Sequence, residues 1–139
     1  MLYGFDVSHW NGRNGIKDGI RNCPANPDFC FIKATEGKTY KDKLCTDFVV
    51  EAVDKNLRVG LYHYARPENN TVAIEVNNFM SVYSRYNDEL NIIPILDWEG
   101  MALNCSEDWA IDWLTNIYKL TGIKPIFYCQ QSALKNYAG

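Results

Sequence analysis

The feature that most constrains the fold of this chain is a regular alternation of short apolar runs with longer amphipathic segments. Five runs typical of β-strands recur about every 25 to 35 residues, at 3–8, 29–35, 58–64, 92–98 and 125–129. Strands that alternate with helices pair in parallel through right-handed crossovers. The alternation therefore predicts an α/β domain, built either as an open doubly wound sheet or as part of a closed β/α barrel.

The segments between these runs are mostly helical in pattern. Apolar residues fall on one helical face in three of them, at 46–57, 71–86 and 106–121. Ser106 followed by two acids is typical of a helix start, and Gly122 of a helix stop. The first connection, 11–27, contains three glycines and two prolines, which predicts only a short helix there.

Composition excludes several classes of protein. The 139 residues include 14 Lys+Arg and 17 Asp+Glu, a formal net charge of −3, and 14% aromatic residues. Such apolar and aromatic content is not that of a disordered chain. The weakly acidic balance predicts no nucleic-acid partner, and no apolar run approaches the ~18 residues of a membrane helix. No basic n-region or apolar h-region follows Met1, so we expect no signal peptide.

The cysteines do not indicate a metal site. The five cysteines form no C-x-x-C pair and only two histidines accompany them, so a zinc site is not expected. Cys23 and Cys30 could close a small loop, but we expect all five thiols to be reduced, with Cys30 and Cys129 packed as small core residues. No phosphate-binding glycine motif and no G-x-S-x-G is present. We expect no cofactor.

Every predicted strand has an apolar body and a polar or aromatic tip. The carboxyl ends of barrel strands converge on one pocket, so the side chains at these tips should line a common site. The acidic and aromatic residues concerned are Asp6, Trp10, Glu36, Tyr62, Tyr64, Asp97, Trp98, Glu99 and Tyr128.

The sharpest motif is Asp97-Trp98-Glu99. Side chains two apart in a strand share a face, with Cα atoms about 6.5–7 Å apart, so the two carboxyls lie side by side and Trp98 points away. Two close carboxylates raise the pKa of at least one of them, which is what a general acid near neutral pH requires. With Asp6 from another strand and aromatic faces nearby, the motif favours cleavage of a glycosidic bond.

Two other interpretations of the acid pair remain open on spacing alone. Paired carboxylates also bind Mg²⁺ or Ca²⁺, as in a metal-dependent hydrolase. They could instead form a structural salt bridge with Lys33 or Arg66. His63 is expected to be a packed, hydrogen-bonding residue rather than a base.

Four motifs in order carry a resemblance to a known family. They are GFDVS at 4–8, IKATEG at 32–37, GLYHY at 60–64 and LDWE at 96–99. Together, at successive strand ends, they resemble the glycoside hydrolase family 25 lysozymes, the Chalaropsis-type N-acetylmuramidases. Each motif alone is weak, but four in sequence are specific, and the resemblance covers essentially the whole chain.

The resemblance implies a TIM-barrel-like fold, a modified β/α barrel of five βα units followed by three further strands. Residues 1–139 would form one muramidase catalytic domain that is incomplete at its C-terminus, since 131–139 reads as the start of a helix and the last strands and their acid are missing. We expect the unpaired barrel edges to promote self-association.

The resemblance also implies an activity: metal-independent cleavage of the β-1,4 bond between N-acetylmuramic acid and N-acetylglucosamine in peptidoglycan. By position Glu99 matches the proton donor, and Asp97 and Asp6 the acids that assist it. Further substrate-binding positions are Lys33, Glu36, Tyr62, Tyr64, Tyr128 and Trp10. The protein would act on the cell wall, outside the cell or as a phage endolysin released from the host cytoplasm. The alternative is an inactive fragment or sugar-binding remnant.

Overall fold

The computed structural model of the chain describes residues 1–129. Its strands are Gly4–Val7 (β1), Phe29–Glu36 (β2), Tyr40–Lys41 (β3), Arg58–Tyr64 (β4), Ile93–Asp97 (β5) and Ile126–Tyr128 (β6). Its α-helices are Gly15–Asn22 (α1), Cys45–Asp54 (α2), Val72–Tyr83 (α3) and Glu107–Thr121 (α4). The helix start predicted at 131–139 lies outside the described residues.

The order of the strands identifies the architecture. The parallel strands lie side by side as β1-β2-β4-β5-β6, in the order in which they follow one another along the chain. A doubly wound sheet reverses direction at a switch point, whereas a barrel adds each strand beside the previous one. The sheet is a curled half-barrel, so the TIM-barrel-like prediction is confirmed and the doubly wound alternative is wrong.

One strand was not predicted. The two residues of β3 pair antiparallel with the end of β2 and close a small hairpin. A strand this short has no periodicity to detect in the sequence. Its turn depends on Gly37, whose φ of 57° lies in the left-handed region and whose missing side chain lets the turn pass next to Arg66.

The hydrophobic core lies between the sheet and the helices. Cys30, Ile32, Leu61 and Leu96 are fully buried. The alternate residues of the same strands point to the concave side, where they line an open cleft. All five cysteines are free thiols, as predicted; Cys30 is buried in the core and Cys129 packs against it.

Local signals set the helix boundaries. At the start of α4 the Ser106 hydroxyl accepts a hydrogen bond from the backbone N–H of Asp108, and Gly122 ends the helix in the left-handed conformation (φ 72°). After α2 the chain turns at Asn56, whose φ is 60°. Asparagine tolerates this region better than most residues, so α2 stops before the predicted end at residue 57.

Within residues 1–129, β1 and β6 form the two edges of the sheet, since β1 pairs only with β2 among the parallel strands and β6 pairs only with β5.

No helix in this part of the chain is long and apolar enough to cross a membrane.

Candidate active site

An acidic cleft opens on the concave side of the sheet at the carboxyl ends of its strands. Its cavity volume is about 120 Å³. Its lining consists of three carboxyl groups, two tyrosines and two apolar side chains: Asp6, Asp97, Glu99, Tyr62, Tyr128, Phe31 and Ile95. The sheet register causes this convergence, because Asp97 pairs with Tyr128 on β6 and Asp6 with Phe31 on β2.

The acid pair has the predicted orientation. Glu99 follows β5 in an extended conformation (φ −152°, ψ 179°), so its side chain joins Asp97 in the cleft. Trp98 points the other way and is fully buried, with its ring centroid 5.9 Å from that of Trp109 and 6.4 Å from that of Phe127. The prediction that Trp98 lines a common site with the other tip residues is therefore wrong, because it has no exposed surface.

Burial and mutual repulsion keep a proton on the acid pair. Asp97 is 7% exposed and its Oδ1 accepts no hydrogen bond. Burial, then the charge of Glu99 and then that of Asp6 raise the pKa of Asp97 to about 8. The carboxyl group of Asp97 therefore retains its proton near neutral pH. Burial also raises the pKa of Asp6, although that residue stays open to solvent.

The two tyrosines of the cleft remain protonated over the working pH range of an acid-catalysed reaction. Burial raises the pKa of Tyr62, and the charges of Asp6 and Asp97 raise it further. The same causes raise the pKa of Tyr128. Each hydroxyl is therefore a hydrogen-bond donor beside the carboxyl groups.

The two basic residues considered as partners of the acid pair bind a different carboxylate. Lys33 Nζ lies 2.7 Å from Oε1 of Glu36, while Nε and Nη2 of Arg66 donate to Oε2 of Glu36 at 3.0 and 2.8 Å. Neither forms a salt bridge with Asp97 or Glu99. The structure thus gives no support to the salt-bridge interpretation of the acid pair.

A second pocket lies at the tips of β2 and β4 and contains three of the predicted substrate-binding residues. Trp10, which is 81% exposed, Lys33 and Glu36 line it rather than the acidic cleft. Tyr64 lies between the two sites: its register partner is Asp97, while Lys33 and Arg66 lie 5.3 and 5.0 Å from its ring centroid.

Sequence reasoning missed residues in both sites. Phe31 and Ile95 contribute the apolar surface of the acidic cleft. Each lies two residues before a polar residue, Lys33 or Asp97, and residues two apart in a strand share a face, so this spacing could have placed them there. Lys38 and Tyr40 reach the second pocket only because the hairpin folds back, and no pattern in the sequence indicated this.

His63 is a packed residue, as predicted. It is fully buried, its Nδ1 lies 2.7 Å from the Thr35 hydroxyl, and its Nε2 lies 2.7 Å from Oε1 of Glu75. Burial lowers the pKa of His63, so the ring is neutral, and these partners place its proton on Nε2. Trp113 stacks on the ring at 5.5 Å.

Comparison with known proteins agrees with this fold. Residues 5–139 match the profile of the glycosyl hydrolases family 25. Lysozyme M1 of Streptomyces globisporus is 32% identical over 126 residues, which cover 84% of this chain and 41% of that protein. The chain spans less than half the length of the curated relatives that it matches.

Solved structures show the same fold. A bacterial lysozyme from Streptomyces coelicolor superposes with a TM-score of 0.76 at 25% identity, covering 97% of this chain and 65% of that one. A family 25 lysozyme from Aspergillus fumigatus gives a TM-score of 0.70 at 27% identity, covering 92% of this chain and 65% of that one. With a profile match over nearly its whole length, this chain belongs to glycosyl hydrolase family 25.

Proposed function

We propose that residues 1–139 are a lysozyme catalytic domain that hydrolyses the β-1,4 bond between N-acetylmuramic acid and N-acetylglucosamine in peptidoglycan. The observation that carries this proposal is a carboxyl pair, Asp97 and Glu99, in an open cleft with Asp6 and two tyrosines, where burial and the neighbouring carboxylates raise the pKa of Asp97. Glycosidases use this combination of a protonated acid and an ionised one. The protein would act at the cell wall, outside the cell or as a phage endolysin.

In this mechanism Glu99 is the proton donor. Its side chain is only half-buried and faces the cleft, whereas Asp97 is buried behind it. Glu99 transfers its proton to the glycosidic oxygen, the C1–O bond breaks, and water completes the hydrolysis at C1. Asp97 and Asp6 stabilise the positive charge that develops on the sugar or orient its 2-acetamido group. Tyr62 and Tyr128 present aromatic surface and hydroxyl donors to the sugar.

The test is a Glu99→Gln variant assayed by the clearing of a peptidoglycan suspension, alongside wild-type chain of proven activity. Removal of a general acid should lower the rate by about 10²–10⁴-fold. Glu107→Gln, an exposed acid at the start of α4, should clear the suspension at the wild-type rate. Clearing by Glu99→Gln at the wild-type rate would contradict the role assigned to Glu99.

Two further measurements separate the alternatives. A metal-dependent hydrolase would lose its activity in EDTA, whereas we expect EDTA to leave the clearing rate of this protein unchanged. The reason is that within residues 1–129 no three His, Cys, Asp or Glu side chains are arranged to hold a metal ion. A sugar-binding remnant would sediment with insoluble peptidoglycan but release no reducing ends.

A further inference from the structure

Two walls of the second pocket lie outside the acidic cleft. One wall is the β2–β3 hairpin with Lys38 and Tyr40, and the other is the loop after β4 with Arg66. The side chain of Trp10 stands at its edge. The cavity volume of the pocket is about 380 Å³.

Two buried polar residues of α3 hold both walls in place. Glu75, which is fully buried, accepts a hydrogen bond from the backbone N–H of Arg66 at 3.0 Å. Asn78, which is 5% exposed, donates to the carbonyl of Gly37 at 3.0 Å. A single helix thus fixes the loop and the hairpin relative to each other. This arrangement preorganises the pocket, which lowers the entropic cost of binding a ligand.

The charges of this pocket differ from those of the cleft. Glu36 is fully engaged by Lys33 and Arg66, and the side chain of Arg66 remains 37% exposed. Glu68 adds one weak contact to Arg66, at 4.0 Å. Lys38 is exposed and forms no ion pair with any residue between 1 and 129. The pocket therefore presents one cation without an ion pair among residues 1–129, Lys38, next to the partly exposed Arg66, whose charge is shared with Glu36 and Glu68.

The two sites are adjacent, with Tyr64 between them. Arg66 and Lys33 face its ring on the side of the pocket. On the other side its hydroxyl reaches Gly100, the residue after Glu99. A substrate that occupies the cleft is thus within reach of the pocket.

We propose that the second pocket binds the peptide carried by peptidoglycan, with a carboxylate of that peptide on Lys38 and Arg66 and its apolar part against Trp10. This inference rests on the proposed function. Muramic acid carries its peptide on the lactyl ether of the sugar ring, next to the bond to be cleaved. The three carboxyls of the cleft repel the carboxylates of such a peptide, whereas the cations beyond Tyr64 attract them.

The experiment compares two forms of one substrate: intact peptidoglycan and the same glycan strands after an amidase has removed the peptides. Wild type, Lys38→Glu and the control Lys43→Ala, an exposed lysine outside the pocket, are assayed on both. For Lys38→Glu we expect the ratio of kcat/KM on peptide-bearing strands to kcat/KM on peptide-free strands to fall about tenfold. This fall should be smaller at high salt, because salt screens the charges. Lys43→Ala should keep the wild-type ratio. An unchanged ratio for Lys38→Glu would overturn the proposal.

A binding measurement keeps this inference separate from the proposed function. The soluble tetrapeptide L-Ala-γ-D-Glu-L-Lys-D-Ala should shift the NMR signal of the Trp10 indole N–H in wild type and not in Lys38→Glu. If wild type binds the tetrapeptide but cleaves neither substrate, the proposed function fails and the pocket assignment stands. The pocket assignment is overturned if the tetrapeptide does not shift the Trp10 signal of wild type, or if acetate shifts that signal equally.

Discussion

The ionised carboxyl group of Asp97 should lower the free energy of unfolding, although the same group serves the reaction. It is buried, its Oδ1 accepts no hydrogen bond, and burial raises its pKa from 3.8 to about 8. A group whose folded-state pKa is raised contributes stability that is fully present below the unfolded pKa and is lost as pH rises through the folded value. We therefore expect Asp97→Asn to be more stable than wild type near pH 8, by about 1 kcal/mol or more, while its clearing activity falls.

Thermal unfolding at two pH values measures this effect. The Tm of Asp97→Asn should exceed that of wild type by several degrees near pH 8, and the difference should shrink near the unfolded pKa of 3.8. Asp54→Asn, at the exposed end of α2, is the matched control and should show no such dependence on pH. A Tm difference that is the same at both pH values would show that the charge of Asp97 is not its cause.

At the scale of elements, α3 connects the core to the loop wall of the second pocket through Glu75. Its carboxyl group accepts hydrogen bonds from His63 Nε2, the Arg66 backbone N–H and Asn70 Nδ2 at 2.7, 3.0 and 2.9 Å. Glu75→Ala leaves these donors buried without an acceptor, so we expect it to lower the free energy of unfolding by about 3 kcal/mol. Urea unfolding followed by circular dichroism measures this loss.

Two variants decide whether the loss comes from the missing acceptor. Glu75→Gln keeps an oxygen for His63 and should lose less than half as much as Glu75→Ala. Asp54→Ala removes an exposed acid from another helix and should stay within about 0.5 kcal/mol of wild type. Equal losses for Glu75→Gln and Glu75→Ala would mean that the hydrogen bonds contribute little.

The helices and the parallel strands could be predicted from the sequence, whereas the polar contacts between them could not. Periodicity predicted α3 from its apolar stripe, but Glu75 and Asn78 are buried beside that stripe because their partners come from β4 and the hairpin. Similarly, the spacing of Asp97 and Glu99 predicted a paired orientation, since it depends only on strand geometry. The pairing of Arg66 with Glu36 depends on how the ends of β2 and β4 meet, which the sequence does not encode locally.

At the scale of the whole molecule, the alternation of strands and helices predicted a parallel α/β sheet but left the barrel and the doubly wound sheet both open. The resemblance to the family 25 lysozymes predicted the barrel order. The alternation could not show which strand ends contribute side chains to the same pocket. The nine predicted tip residues divide into a cleft, a neighbouring pocket, and two positions, Tyr64 and Trp98, that line neither. The curvature of the sheet decides this division, and curvature is a property of the assembled strands.

The last prediction concerns the edges of this sheet. Within residues 1–129, β1 and β6 each pair with one parallel neighbour, so each presents a row of backbone groups that a second copy can pair with. We propose that the chain self-associates through these edges, so that its molar mass from light scattering rises with concentration. Ile126→Lys places a charge on β6 and should weaken this association. Ile111→Lys, on the exposed face of α4, should not. A monomeric mass for wild type at every concentration would refute the proposal, and an equal effect of both lysines would place the contact elsewhere.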